Sequence, residues 1–194
     1  MKRNAITLGV AAATTLLLAG AVQAEQEAND QSEQNGQHEE YYLVDIHWIE
    51  EEGIGEQIGT MRVEDSEHGL LLTPDLSDMP PGIYGFHVHE NPSCEAGEDD
   101  DDDMMAGQQA GSHYDPEDTG SHQGPYGEGH LGDLPVLAVN EEGEANIPVL
   151  APRLSLSDLD ERSLMIHEGG DTYADEPTDG GGGGRMACGI VIFQ

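Results

Sequence analysis

The stretch "YYLVDIHWIE", residues 41 to 50, decides the fold class, because its apolar residues recur at every second position. Tyr42, Val44, Ile46 and Trp48 line one face, as in a strand with one side against a core. Asp45 and His47 fall on the other face, so His47 is expected to be exposed. Downstream, "IGTMRVEDSEHGLLLTPDL" reads as two strand pieces around a turn at Ser66 to Gly69, with His68 at its tip. "GIYGFHVHE" reads as the next strand and "PVLAVNEEGEANIPVLAP" as a hairpin around "NEEGE". "SLMIHEGG" reads as a strand ending at a histidine, and "MACGIVIFQ" as the last strand. Short strands, glycine- and proline-rich turns and almost no helical periodicity predict an all-β sandwich or barrel.

One segment breaks this pattern. From Asn91 to about Gly132 the chain is polar and without periodicity, which in a compact domain implies a loop that is functional or pinned. The acidic run Glu98 to Asp103 lies within it. Calcium loops need bends and alternating ligands that this run lacks, so it reads as solvated surface.

The chain before Tyr41 has a different character. Residues 1 to 24 read as a secretory signal peptide: Lys2 and Arg3, an apolar stretch from Ala5 to Leu18, then "AVQA" with small residues for cleavage. The apolar run is short for a bilayer span, and no cysteine follows "LLLAGA" to carry a lipid, so no membrane anchor is expected. Residues 25 to 40 read as a disordered acidic leader, with His38 in a solvated tail. Residues 41 to 194 remain as one domain with its own core.

Export to an oxidising compartment such as the periplasm bears on Cys94 and Cys188, the only cysteines. One disulfide is the simplest reading. Closing so long a loop is worth about 4 to 5 kcal/mol in the chain-entropy model. Metal-bound thiolates are disfavoured because neither cysteine has a CxxC partner, and two free thiols are the remaining alternative.

Charge narrows the partners. The formal net charge is −34, and the signal carries two cations and no acid, so the mature chain carries −34 − 2 = −36. Its cations are Arg62, Arg153, Arg162 and Arg185, with no lysine. Nucleic acid and anionic membrane, both negative, are excluded as partners. Such a chain repels itself in dilute salt, whereas at 1 M the Debye length shrinks to about 3 Å, which points to a halophilic acidic protein.

Nine histidines occur. With His38, His47 and His68 set aside, His87, His89, His113, His122, His130 and His167 remain, together with Asp133 in "GHLGD". A lone HxH pair is more often surface or packing than a metal site. The set says more: imidazoles with one carboxylate and no thiolate suit zinc beside a redox copper. His113, His122, His130 and Asp133 share one loop, as a closed tetrahedral zinc site requires, while His87, His89 and His167 come from strands or strand ends and suit a more open site.

"GFHVHENPSC", "GSHYDPEDTGSHQGPYGEGHLGDLP", "LMIHEGGD" and "GGGGRMACGIV" together resemble the copper/zinc superoxide dismutases, in particular the bacterial periplasmic type, from about Tyr41 to the C-terminus. The resemblance implies a Greek-key β-barrel or sandwich with long metal-binding and active-site loops. It implies copper on His87, His89, His113 and His167, and zinc on His113, His122, His130 and Asp133, with His113 shared. Asp171 then corresponds to the carboxylate that links a copper-side to a zinc-side histidine. Arg185 corresponds to the arginine that attracts the superoxide anion, and Cys94 and Cys188 to the family disulfide. The implied activity is an oxidoreductase one: two superoxide anions become oxygen and hydrogen peroxide by Cu(II)/Cu(I) cycling, with zinc structural. The alternative is a periplasmic copper/zinc-binding protein without turnover. Arg153 and Arg162 are possible outer contributors to steering, and a homodimer is possible.

Overall fold

The computed structural model describes residues 40–99 and 101–193, so the signal peptide, His38 and nearly all of the leader lie outside the described residues. Among the described residues eleven strands run in chain order: β1 (Tyr41–Glu50), β2 (Gly53–Ser66), β3 (Gly69–Leu76), β4 (Gly82–Tyr84), β5 (Phe86–His89), β6 (Gly97–Glu98), β7 (Met104–Met105), β8 (Leu137–Val139), β9 (Val149–Ala151), β10 (Arg162–His167) and β11 (Arg185–Val191). Among the described residues the only helices are short 3-10 turns. Seven strands form one curled, half-barrel sheet in the order β5-β10-β11-β1-β2-β3-β9, and β4 pairs with β8 in a separate ladder. The all-β expectation holds.

The strand period explains most of the core. Val44 and Ile46 of β1, Met61 and Val63 of β2, and Leu70 and Leu72 of β3 point inward at every second position. They pack with Phe86, Val88, Leu164 and Ile166. His68 sits exposed at the β2–β3 turn, as its sequence context predicts.

Three local readings need correction. The alternation in β1 does not run to its end: the register with β2 shifts on both sides of His47, and Ile49 is buried in a second cluster with Cys94, Ala110, Met165 and Cys188. A bulge adds a residue to one strand and re-aims the side chains beyond it, so His47 is half-buried rather than exposed, with Nδ1 3.2 Å from the Gly55 carbonyl. "GIYGFHVHE" is two strands, broken at Gly85, whose N–H donates to the Gly169 carbonyl at 2.8 Å and whose carbonyl accepts from His167 N–H at 2.9 Å. "NEEGE" does turn, with Asn140 N–H donating to the Glu144 carbonyl, but its arms pair elsewhere, β8 with β4 and β9 with β3.

The break at Gly85 positions the site. It directs β5 against β10, with His87 opposite Met165 and His89 opposite Ser163. All four β5 residues are buried: Phe86 and Val88 in the barrel core, His87 and His89 on the other face beneath the long loop. That loop docks on the free edge of β5. Val88 N–H donates to the Gly132 carbonyl and Tyr114 N–H to the Val88 carbonyl, both at 2.8 Å, which sets His89 opposite His113 and His87 opposite Asp133. The loop also carries the β6–β7 ladder, and Cys94 is bonded to Cys188 of β11 with a Cα separation of 5.7 Å.

Candidate metal centre

Two groups of donor atoms converge where loop and β5 meet. In each, every member's donor lies within 4.8 Å of the others: His87, His89, His113 and His167 form one, and His113, His122, His130 and Asp133 the other. The seven side chains named in the sequence thus occupy one region, and His113 belongs to both groups.

The second nitrogen of each ring shows which one is free. His89 Nδ1 is 2.9 Å from the Gly111 carbonyl and His167 Nδ1 is 3.2 Å from that of Gly183, so both face inward with Nε2, and those two nitrogens are 3.4 Å apart. His87 does the reverse. Its Nε2 is 2.8 Å from Asp171 Oδ2, and its Nδ1 is buried without a hydrogen-bond partner among the described residues. The His113 ring stacks on that of His87 with centroids 3.9 Å apart. Fixing one nitrogen on a carbonyl or carboxylate sets the ring's orientation and tautomer, which is how metal-binding histidines are held.

In the second group the carboxylate is the hub. Asp133 Oδ1 lies 3.2 Å from His113 Nδ1, 3.0 Å from His122 Nδ1 and 3.3 Å from His130 Nδ1, while Oδ2 accepts the N–H groups of Gln123 and Gly124. His113 Nε2, turned away from Asp133, is also buried without a partner. Asp171 joins the halves: its two oxygens accept from His87 Nε2 and His122 Nε2, each at 2.8 Å.

Burial sets the charges of these groups. Desolvation pushes His87 down to about 3 and His167 to about 4, and holds His89 well below its usual range, so the three rings are neutral at pH 7. Neutral imidazole is the form that binds a metal. Burial also acts against charge on His122 and Asp133, but hydrogen bonding outweighs it: Asp133 and Asp171 raise His122, and His113 and His122 hold the Asp133 carboxyl well below the carboxylate range. The donor set, with orphaned nitrogens aimed into a buried space and neutral rings in the first group, fits copper and zinc.

Arg185 opens β11 beside the first group, paired with His167. Its guanidinium donates to the Gly107 and Gly111 carbonyls of the loop. Burial lowers its pKa, and a guanidinium still keeps its proton. It lines a cleft of about 650 Å³ together with Glu50, Glu51, Glu52 and Glu168, and it is the only cation there among the described residues. Neither Arg153 nor Arg162 lines this cleft. Arg162 covers the Tyr114 ring, and Arg153 binds the Gly129 and His130 carbonyls.

Sequence reasoning missed three supports. Asp175 accepts the His122 N–H at 2.6 Å, Tyr173 Oη accepts the Val136 N–H at 2.9 Å, and the carbonyls of Gly111 and Gly183 orient two rings. A backbone carbonyl leaves no trace in composition. Asp175 is one acid among forty and carries no spacing signal.

Residues 57–191 match the family model described as copper/zinc superoxide dismutase (SODC). The copper-zinc superoxide dismutase 2 of Salmonella typhimurium (strain LT2) is 49% identical over 150 residues, covering 76% of this chain and 86% of its own. That of Legionella pneumophila is 52% identical over 134 residues, covering 69% and 77%. Among solved structures, the Cu/Zn superoxide dismutase from Brucella abortus superposes with a TM-score of 0.76 at 44% identity, over 78% of this chain and 99% of that one. The monomeric enzyme from Salmonella enterica gives 0.70 at 48% identity, over 78% and 99%.

Proposed function

The chain belongs to the copper/zinc superoxide dismutase family, and from that premise we propose that His87, His89, His113 and His167 hold copper and that His113, His122, His130 and Asp133 hold zinc. The protein is an oxidoreductase that converts two superoxide anions and two protons to oxygen and hydrogen peroxide. The observation that carries the ligand assignment is the set of ring nitrogens left free after each partner nitrogen is satisfied, Nδ1 of His87, Nε2 of His89 and His167, and Nε2 of His113, whose Nδ1 sits beside Asp133 in the second group. When bound, copper supplies one-electron exchange with superoxide, and zinc supplies a redox-inert positive charge.

The residues divide the remaining work. Arg185, fixed by two carbonyls, presents a permanent positive charge to the cleft and attracts and orients the anion. His113 Nε2 faces the copper-side group while Nδ1 is retained beside Asp133, so Nε2 is the atom placed to give a proton to the reduced anion. Asp171 keeps His87 and His122 in fixed orientation relative to each other, and the Cys94–Cys188 bond ties the loop bearing Gly107 and Gly111 to the strand bearing Arg185.

The same reading covers place and medium. Lys2, Arg3 and the apolar stretch after them direct export, and an internal disulfide suits the periplasm. Among the described residues no helix is long and apolar enough to cross a membrane. A mature charge of −36 suits a salt-rich medium, and pairing of two copies would need that salt to screen their repulsion.

The test is metal analysis of the purified protein together with superoxide decay, repeated for Arg185→Ala and His113→Ala. Equal copper and zinc with turnover that drops in both variants is expected. Both metals bound with no turnover in the parent protein would favour a metal-binding role instead.

A further inference from the structure

We propose that Arg153 is a positioning residue for zinc, acting through the backbone of His130; the proposal rests on the assignment of His130 and Asp133 as zinc ligands. Arg153 lies just beyond β9, the far edge of the seven-stranded sheet, and reaches back to the loop. Nη1 donates to the Gly129 carbonyl at 3.0 Å, and Nη2 donates to that of His130. The His130 carbonyl also accepts the Asp133 N–H at 3.4 Å, so the guanidinium grips a backbone acceptor shared by two ligands of the group. The His130 N–H donates to the Ser121 carbonyl at 2.8 Å, beside His122, which extends the link to a third ligand.

The loop is otherwise anchored from the other side. His113 and Asp133 are held by the edge of β5, and His122 by Asp171 and Asp175. The His130 ring is the most exposed of the group at 14%, and among the described residues its side chain has a hydrogen-bond contact with Asp133 alone. Arg153 supports its backbone from the barrel.

Charge shows why an arginine is needed. Arg153 lines a cleft of about 570 Å³ with Asp115, Glu117 and Glu128, and it is the only cation there among the described residues. Asp115 is occupied with Thr119 and the Gly120 N–H. A planar fork reaching two successive carbonyls fixes their direction, and a lysine ammonium reaches them as a single flexible point. With the guanidinium removed, the cleft keeps its three carboxylates and has no cation among the described residues, and the Gly129 and His130 carbonyls lose the fork that fixes their direction.

The experiment compares the metal-loaded parent with Arg153→Met, Arg153→Lys and, as a control far from the site, Arg62→Met. Zinc release to a chelator and the visible spectrum of cobalt(II) placed in the zinc site are measured, with copper release and the melting temperature of the metal-free protein alongside. Partners of metal ligands typically change affinity by about 10- to 100-fold. On that scale, Arg153→Met is expected to release zinc about 10 to 100 times faster and to shift the cobalt spectrum. Copper release should change far less, Arg153→Lys should fall between, and Arg62→Met should match the parent. Unchanged zinc release and an unchanged cobalt spectrum in folded Arg153→Met would overturn the proposal. So would a loss of zinc affinity matched by an equal loss in Arg62→Met or explained by a lower melting temperature of the metal-free protein. If His130→Ala leaves zinc binding of the parent intact, the ligand assignment has failed rather than the role of Arg153.

Discussion

Gly180 lies against the carboxylate that links the two halves of the site, so Gly180→Ala tests that link without replacing a ligand. Gly180 has φ +69°, in the left-handed region where a side chain costs about 1 to 2 kcal/mol. A methyl group built on it would overlap Asp171 Oδ1 and lie 2.8 Å from His122 Nε2, well inside contact distance. Backbone held by Gly180 N–H to the Ala174 carbonyl and by Thr172 N–H to the Gly180 carbonyl restricts retreat, so the Asp171 carboxylate must move. Two contacts of 2.8 Å then lengthen together, one to His87 and one to His122. Loss of such a partner lowers metal affinity by about 10- to 100-fold, or about 1.4 to 2.7 kcal/mol for each site. Competition titrations with chelators selective for copper and for zinc should show both affinities falling. Asp171→Asn, which keeps one acceptor oxygen, should weaken the sites without the backbone strain. If Gly180→Ala lowered only the melting temperature and left both affinities at parent values, the claim that Asp171 orients the two rings would be refuted.

The same geometry sets three further outcomes. Cys94→Ser, or reduction of the disulfide, opens a loop spanning 94 residues and should cost about 4 to 5 kcal/mol in the chain-entropy model, read by urea denaturation; a loss under about 1 kcal/mol would place the restraint elsewhere. In the metal-free protein His87, His89 and His167 stay neutral in the fold, with His87 near 3 and His167 near 4, but take up protons near 6.5 once unfolded. Between about pH 4 and 6.5 the unfolded state binds more protons, so stability falls as pH drops, by up to about 1.4 kcal/mol per pH unit for each histidine. His122, raised to about 10, adds stability that is already complete below 6.5, so it does not flatten that slope. Equal urea midpoints at pH 7 and pH 5 would contradict this. Because Arg185 faces four glutamates in its cleft, kcat/KM should hold or rise from dilute to molar salt, and Arg185→Ala should lower it throughout; a steep fall in the folded parent would show that long-range attraction dominates.

Much of the site was legible because ligand chemistry resides in residue type. Six histidines and Asp133, in order along strands and a loop, indicated two metals by themselves, and alternation from Tyr42 to Ile46 indicated the core face of β1. The His47 bulge was not legible, since an inserted residue changes the face of Ile49 without changing the apolar pattern around it. Nor was the break at Gly85, where two strand halves with continuous sequence leave for different sheets.

Composition, periodicity and motif order, all properties of the chain read locally, were enough to determine the all-β class, the excess negative charge, the donor atoms available and the single pair of cysteines. Only the tertiary structure decided which nitrogen of each histidine is free, because that depends on carbonyls of Gly111 and Gly183 and on carboxylates of Asp133 and Asp171 brought from distant segments. It also decided how the four arginines among the described residues are used. In a chain with so few cations, Arg185 faces the cleft, Arg153 grips the zinc loop, Arg162 covers Tyr114 and Arg62 pairs with Glu64. Those assignments depend on through-space distance, which sequence separation does not encode.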